Sequence, residues 1–506
     1  VSVAKGVVDL TDLLPILAID QGTTSSRAIR FDLNQQSQRL SQQKITQYYP
    51  QPGWVEHDPE EIWRTTLEVA RDALSNDPVA ALGIANQRET TLIWDRKTGE
   101  PIHPAIVWQD RRTAAICSEL KSAGAESLIK ERTGLLLDPY FSGTKVSWLL
   151  DHVDGARGKA DRGELAFGTV DSFLIWRLTA GRRHVTDATN ASRTLMFNIH
   201  DQTWDDDVLQ LLKIPRTILP EVLDCADDFG ETDATVFGRA IPIRGVAGDQ
   251  HAAMVGQACF ENNSVKSTFG TGCFMLSNTG ERIVNSENGL ITTLAYRLGG
   301  VPTYALEGSI FVAGSAVQWL RDELSLIKDA RETEAIAADL DTKGGNNGVY
   351  LIPAFVGLGA PHWQPNARGA LFGLTRGTNS THLVRAALEA VSYQAQDLTS
   401  AMAADSGSAM GVLRVDGGMA ENNWLMQFLA DILEVSVERP LVTETTALGA
   451  AQLAALGVGE VRSVDELSER WYLDRRFVPR MSIAQRAKLI EGWQAAVAGV
   501  LASEPE

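Results

Sequence analysis

Across 506 residues the chain is 44% hydrophobic and 22% charged, ordinary for a globular protein and too long for one hydrophobic core, so two or more domains are expected. Its 64 acidic residues outnumber 46 basic ones, a formal charge of −18. That balance repels nucleic-acid backbones and anionic lipid, so nucleic acid is excluded as a partner and any bound phosphate must rest on local backbone and a few local cations. Four widely spaced cysteines, Cys117, Cys225, Cys259 and Cys273, form no CxxC pair and argue against a zinc ribbon or a disulfide scaffold. The opening residues lack a basic n-region, and no apolar run reaches about 20 residues, so neither a signal peptide nor a membrane span is expected and the cytoplasm is the expected compartment.

Strand and helix signals alternate along the chain, the mark of an α/β protein. The segment "ILAIDQGTTSSRAIRFD" (16–32) reads as a hairpin: an apolar strand, an acid at its end, a turn through five small polar residues, then alternation at Ile29 and Phe31. Next, "DPEEIWRTTLEVA" (58–70) reads as a helix with Asp58 as cap, Pro59 in the first turn and Glu61 closing a capping box. "ALGIAN" (81–86) is a buried strand, with "TTLIWD" (90–95) as its partner. A strand runs into a small-residue helix at "IPIRGVAGDQHAAMVG" (241–256). The hairpin shape returns at "SVKSTFGTGCFMLS" (264–277), about half a chain later, which points to a duplicated architecture. A second strand-to-helix joint follows at 412–433, with Leu425, Phe428, Leu429, Ile432 and Leu433 on one helix face. The polar "ENNS" (261–264) marks a boundary, giving an N-terminal extension at 1–13 and domains at 14–258 and 259–506.

Turns of Gly, Thr and Ser between strands offer closely spaced backbone N–H and hydroxyl donors, which suits phosphate oxygens. Arg27 adds a fixed positive charge, and Asp20 stands where it could hold a phosphate-bound Mg²⁺. With Gly270, Thr271 and Gly272 at the second turn, two hairpins facing across a cleft could grip a triphosphate. No GxxxxGK[ST] motif and no post-strand GxGxxG occurs, so the P-loop and Rossmann readings fall. Ser142 and Lys145 match an SxxK pattern without its companion motifs in order, and read as a helix cap and a surface lysine. Asp249, at a strand end beside a helix start, is the candidate base for a hydroxyl proton; His251 reads as structural, and the acids of "WDDDV" (204–208) as a helix start. For a polyol, Arg88 can donate and Glu89 can accept, while Trp108 and Tyr140 could cover its C–H face.

With these residues in hand the chain resembles the glycerol kinases, within the carbohydrate-kinase family that shares the actin and hexokinase fold. The resemblance runs from about Ile16 to about Gly459 and rests on blocks in one order, among them "AIDQGTTSSRA", "NQRETT", "VWQDRRT", "GTKVSWLLD", "AGDQHAA", "FGTGCFML" and "VDGGMAENNWLMQFLADIL". It implies two duplicated actin/hexokinase-like (ribonuclease H-like) domains flanking an ATP/substrate cleft, the first binding glycerol and the second the nucleotide. It implies ATP-dependent formation of sn-glycerol 3-phosphate, with Mg²⁺ near Asp20 and Asp249. Arg88, Glu89, Tyr140, Asp249 and Gln250 match glycerol-binding positions, and Trp108 and Phe274 an aromatic wall. Thr23, Thr24, Ser25, Arg27, Thr271 and Gly272 match phosphate-contacting positions; Gly314, Gln318, Gly418 and Asn422 match the nucleotide side, Gly418 giving adenosine room. The "NQRET" block favours glycerol over a ketose such as xylulose or ribulose. The polyol set also argues against the chaperones and filament proteins of the same fold. "VFGRAIPIRG" keeps Gly238 and Arg239 of a loop that binds fructose bisphosphate in some members, and 226–247 has no histidine for activation by a phosphocarrier. Family members are often homodimers or homotetramers, and a homo-oligomer is expected here.

Overall fold

The computed structural model describes residues 14–503, so the expected extension at 1–13 lies outside the described residues. The chain divides into two compact units. One runs through Phe260 and adds Thr293–Tyr304 and Thr445–Trp471; the other takes Glu261–Thr292, Ala305–Glu444 and the chain from Tyr472 onward. The break at Phe260 falls two residues from the boundary expected at 258/259, but two later segments belong with the first unit.

The first unit is built on a five-stranded sheet in the order Ile243–Gly248, Ala81–Asn86, Ile16–Gln21, Ser25–Phe31, Ser37–Lys44. The first three run parallel, and the last two fold back antiparallel. The central strands are apolar on both faces because both are covered. Leu17, Ile19, Leu82, Ile84 and Val246 meet Ile62 and Val69 of the helix Pro59–Leu74 in one core. On this sheet also lies the helix Thr445–Val458, whose "TTALGAAQLAALGV" is almost entirely small or apolar. The approach is backbone to backbone: a Cβ added at Gly83 would stand 2.1 Å from the Ala450 carbonyl oxygen, and one at Gly449 only 1.8 Å from that of Ala252.

The second unit repeats the plan. Its sheet runs from residues 305–310, the end of the strand Val301–Ile310, through Cys273–Gly280, Val265–Phe269, Val412–Asp416 and Ser436–Pro440 to Leu473–Phe477. As in the first sheet, an antiparallel hairpin leads into parallel strands contributed later in the chain. The expected helix face is present, with Leu425, Phe428, Leu429, Ile432 and Leu433 all buried. No helix among the described residues is long and apolar enough to cross a membrane.

Three local expectations change. The first hairpin turns through Gly22-Thr23-Thr24 alone, closed by the Gly22 N–H on Ser25 O at 2.9 Å; Ser25 and Ser26 already belong to the strand. Asp58 caps its helix by accepting from the Glu60 N–H, but Glu61 forms no capping box because its carboxylate accepts from the N–H and hydroxyl of Thr46. The strand Leu92–Asp95 pairs with Leu165–Gly168 rather than with Ala81–Asn86, whose two edges are taken by the flanking parallel strands.

Candidate functional site

In the first unit the expected residues come together at the ends of the parallel strands. Asp20 is next to last in the strand Ile16–Gln21 and lies directly opposite Arg27. Burial pushes the Asp20 carboxyl up to about 6, with Arg27 pulling it down and the charge of Asp249 pushing it further up. Two acids therefore lie within electrostatic reach of each other, and Arg27 acts on the first of them. Thr23 accepts from the Trp108 indole N–H at 2.9 Å, which ties the hairpin tip to the aromatic residue expected over the substrate. Thr24 is exposed at the tip, and Ser25 lies on the strand, where its hydroxyl accepts from Gln42.

Asp249 is the first residue of the helix Asp249–Gly256, after the strand Ile243–Gly248. The Arg88 Nε lies 3.2 Å from its Oδ1, and the Gln250 N–H donates to the same oxygen at 2.7 Å. Gly248 makes this crossing possible: a Cβ there would stand 2.7 Å from Arg88 Cγ. The Arg88 side chain is buried, while that of Asp249 keeps 27% of its exposure, so the acid faces open space and its guanidinium partner does not. His251 is fully buried, in keeping with a structural role.

Glu89, next to Arg88, has a left-handed backbone with φ of +60°, uncommon for a residue with a side chain. Its carbonyl accepts from the hydroxyls of Ser142 at 2.9 Å and Thr91 at 3.0 Å. Its carboxylate accepts from Arg193 Nε at 2.7 Å. Tyr140 sets its ring edge-on to Trp108, with centroids 5.6 Å apart. The SxxK pair is corrected here. Ser142 is not a cap, since Phe141 holds that position, and Lys145 is fully buried, donating to Tyr140 O at 2.8 Å. Burial brings the Lys145 ammonium down to about 7, against the raising pull of Glu89, Asp110 and Asp138. Arg193 and Lys145 were missed as site residues; a lone cation in a polar stretch carries no periodic signal of burial. The acids of "WDDDV" do open a helix, with Asp205 as its cap.

In the second unit a cavity of about 560 Å³ is lined by Gly314, Gln318, Gly418 and Asn422, the four residues expected on the nucleotide side, and by Thr271, expected to contact phosphate. Thr271 O accepts from the N–H groups of Ala313 and Ser315, and a Cβ at Gly272 would stand 2.5 Å from Ile310 O, so the turn is pressed against the start of the helix Gly314–Asp322. Gly417, at φ +86°, carries the chain past Phe269 into the next helix. A Cβ at Gly418 would meet nothing within 4 Å: that position looks onto open space. Asn422 caps the helix Asn423–Leu433 and also donates to Thr333. Arg331, Thr333 and Glu334 join the lining without a local motif to announce them. Phe274, on the strand Cys273–Gly280, is not part of that lining.

Comparison with known proteins agrees with this arrangement. A protein from Pseudomonas aeruginosa, described as glycerol kinase 1, is 60% identical over 95% of this chain and 98% of its own. A glycerol kinase from Methylobacterium nodulans is also 60% identical, over 97% of this chain and 98% of its own. A solved structure of Plasmodium falciparum glycerol kinase with ADP superposes with a TM-score of 0.91 at 37% identity, covering 96% of this chain and 98% of that one. Models of the N-terminal and C-terminal domains of the FGGY family of carbohydrate kinases match residues 15–256 and 265–458. The chain belongs to the FGGY family of carbohydrate kinases.

Proposed function

We propose that this chain phosphorylates glycerol with ATP, forming sn-glycerol 3-phosphate and ADP. The observation that carries the reading is the Arg88–Asp249 pair beside Glu89: a buried guanidinium, an open carboxylate 3.2 Å away and a second acid at the neighbouring position. Arg88 donates to hydroxyls and Glu89 accepts from them, with Tyr140, Gln250 and the aromatic wall of Trp108 and Phe274 completing the polyol set. Both contacts on Asp249 engage Oδ1, which leaves Oδ2 to take the proton of the attacking hydroxyl. In the transfer, the hydroxyl oxygen forms a bond to the γ-phosphorus, the bond to the β,γ-bridging oxygen breaks, and ADP leaves with that electron pair. Thr23, Thr24, Ser25 and Arg27 of the first hairpin and Thr271 and Gly272 of the second hold phosphate oxygens. Gly314, Gln318, Gly418 and Asn422 hold the nucleotide in the cavity they line.

Mg²⁺ fits Asp20 and Asp249. The described residues contain no cluster of three or more His, Cys, Asp or Glu able to cage an ion, and Mg²⁺ takes one or two carboxylates and completes its shell with substrate phosphates and water. Burial is the main cause that raises the Asp20 carboxyl, so its carboxylate is costly to hold there and a bound cation would offset that cost. When bound, the ion supplies charge neutralisation on the phosphates. We place the protein in the cytoplasm as a homodimer or homotetramer.

The test is an assay of ADP release across polyols and ketoses. Glycerol should be the fastest substrate, and faster turnover of xylulose or ribulose would move the chain to a sibling activity. Asp249→Asn should lower kcat by about a hundredfold or more, the usual scale for loss of a general base, with the fold intact; near-parental turnover would remove Asp249 as the base.

A further inference from the structure

Arg193 is fully buried, and its guanidinium reaches two parts of the proposed polyol site, Glu89 and Tyr140, together with Phe141 beside them. Its Nε donates to Glu89 Oε1 at 2.7 Å, and its Cζ lies 5.6 Å from the Tyr140 ring centroid and 5.3 Å from that of Phe141. Glu89 is itself 1% exposed. Removing two charges from water is expensive, and a buried pair is poor evidence of added stability, so its retention calls for another explanation. That explanation lies in how Glu89 is held. Its backbone is left-handed, its carbonyl is pinned by Ser142 and Thr91, and one carboxylate oxygen is taken by Arg193. Lys145, donating to Tyr140 O, lies within electrostatic reach of Glu89.

We propose that Arg193 is a positioning residue for polyol recognition: it keeps Glu89 ionised and aimed through Oε1 while seating the Tyr140 ring. The proposal rests on the reading of Glu89 as a polyol acceptor. An acid deprived of this partner in a buried site takes up a proton more readily, because burial disfavours the charged form. A protonated Glu89 would present a donor where the hydroxyl needs an acceptor.

The experiment uses the full-length chain as Arg193→Met, Arg193→Lys, Glu89→Gln and the Arg193→Met/Glu89→Gln double variant, with KM and kcat taken for glycerol and ATP separately from pH 5.5 to 9. Arg193→Met should raise the glycerol KM by about ten- to a hundredfold, the range for one charge-assisted hydrogen bond, with the ATP KM unchanged. Its kcat/KM for glycerol should gain a new acidic limb, which Arg193→Lys, keeping the charge, should largely remove. The double variant should cost little more than Glu89→Gln, since Arg193 acts through Glu89. Equal rises in both KM values, an unchanged pH profile, or full additivity in the double variant would overturn the proposal. If Arg193→Met does not fold, the Arg193→Lys profile decides: a glycerol KM and pH profile matching Glu89→Gln would overturn it. A Glu89→Gln chain with parental glycerol KM would instead overturn the reading of Glu89 beneath it.

Discussion

Replacing Asp20 with Asn should stabilise the ligand-free protein while abolishing turnover. In the folded chain burial and the neighbouring Asp249 raise the Asp20 carboxyl from 3.8 to about 6. The folded state thus holds the Asp20 proton more tightly than the unfolded state does. Its contribution to stability is full below pH 3.8 and is lost as pH rises through about 6. A shift of roughly two pH units corresponds to about 3 kcal/mol, and the partial exposure of Asp20 reduces this to about 1–2 kcal/mol. Asn is nearly isosteric and carries no charge, so it removes that cost. Urea unfolding at pH 4.5 and 7.5 is the assay. The variant should unfold at higher urea than the parent at pH 7.5, the gain should shrink at pH 4.5, and ADP release should collapse at both. An equal gain at the two pH values, or a loss at pH 7.5, would refute the reasoning, because the effect would then not come from the Asp20 charge. The pairing of higher stability with lost activity is what a site that buries a carboxylate for its chemistry demands.

Other outcomes follow from particular contacts. Gly418→Leu should raise the ATP KM at least tenfold and leave the glycerol KM unchanged, since the added side chain starts into the open space of the proposed nucleotide cavity; steady-state kinetics in both substrates read this. Lys145 has its ammonium brought down to about 7, so the unfolded chain binds more protons above that pH and this group adds stability as pH rises from 7 toward its unfolded value. Lys145→Met should flatten that slope, worth roughly 1 kcal/mol per pH unit, in urea midpoints measured at pH 7 and 9. Gly449→Val should cost more than about 3 kcal/mol, since its side chain has only the Ala252 backbone to displace; thermal denaturation of the purified variant, or its failure to accumulate in soluble form, is the measure.

The parts of the site legible in the sequence were those with a local signature. A strand ending in an acid before small residues, at Asp20, is such a pattern, and so are the Gly-Thr-Gly turn at 270–272 and the strand-to-helix joint at Gly248-Asp249. Each is fixed by backbone geometry over a few residues, so each was read without the rest of the molecule. What escaped was set by distant packing. Arg193 meets Glu89 from 104 positions away and carries no pattern of its own. Lys145 looked like a surface lysine because its burial depends on Tyr140, Glu89 and Asp110 closing around it. The strand Leu92–Asp95 was paired with its sequence neighbour, and only the filling of both edges of Ala81–Asn86 sends it elsewhere.

The helix Thr445–Val458 covers the first unit's sheet although the strands beneath it end by Gly248. On the ribosome, those strands emerge long before their cover does. At ordinary elongation rates of about 5–20 residues per second, the roughly two hundred residues between Gly248 and the end of that helix take about 10–40 seconds to make. For that interval the glycine-lined face of the sheet has no native partner. A codon change that slows translation between 250 and 445 would lengthen the exposure and lower the soluble yield without altering one amino acid.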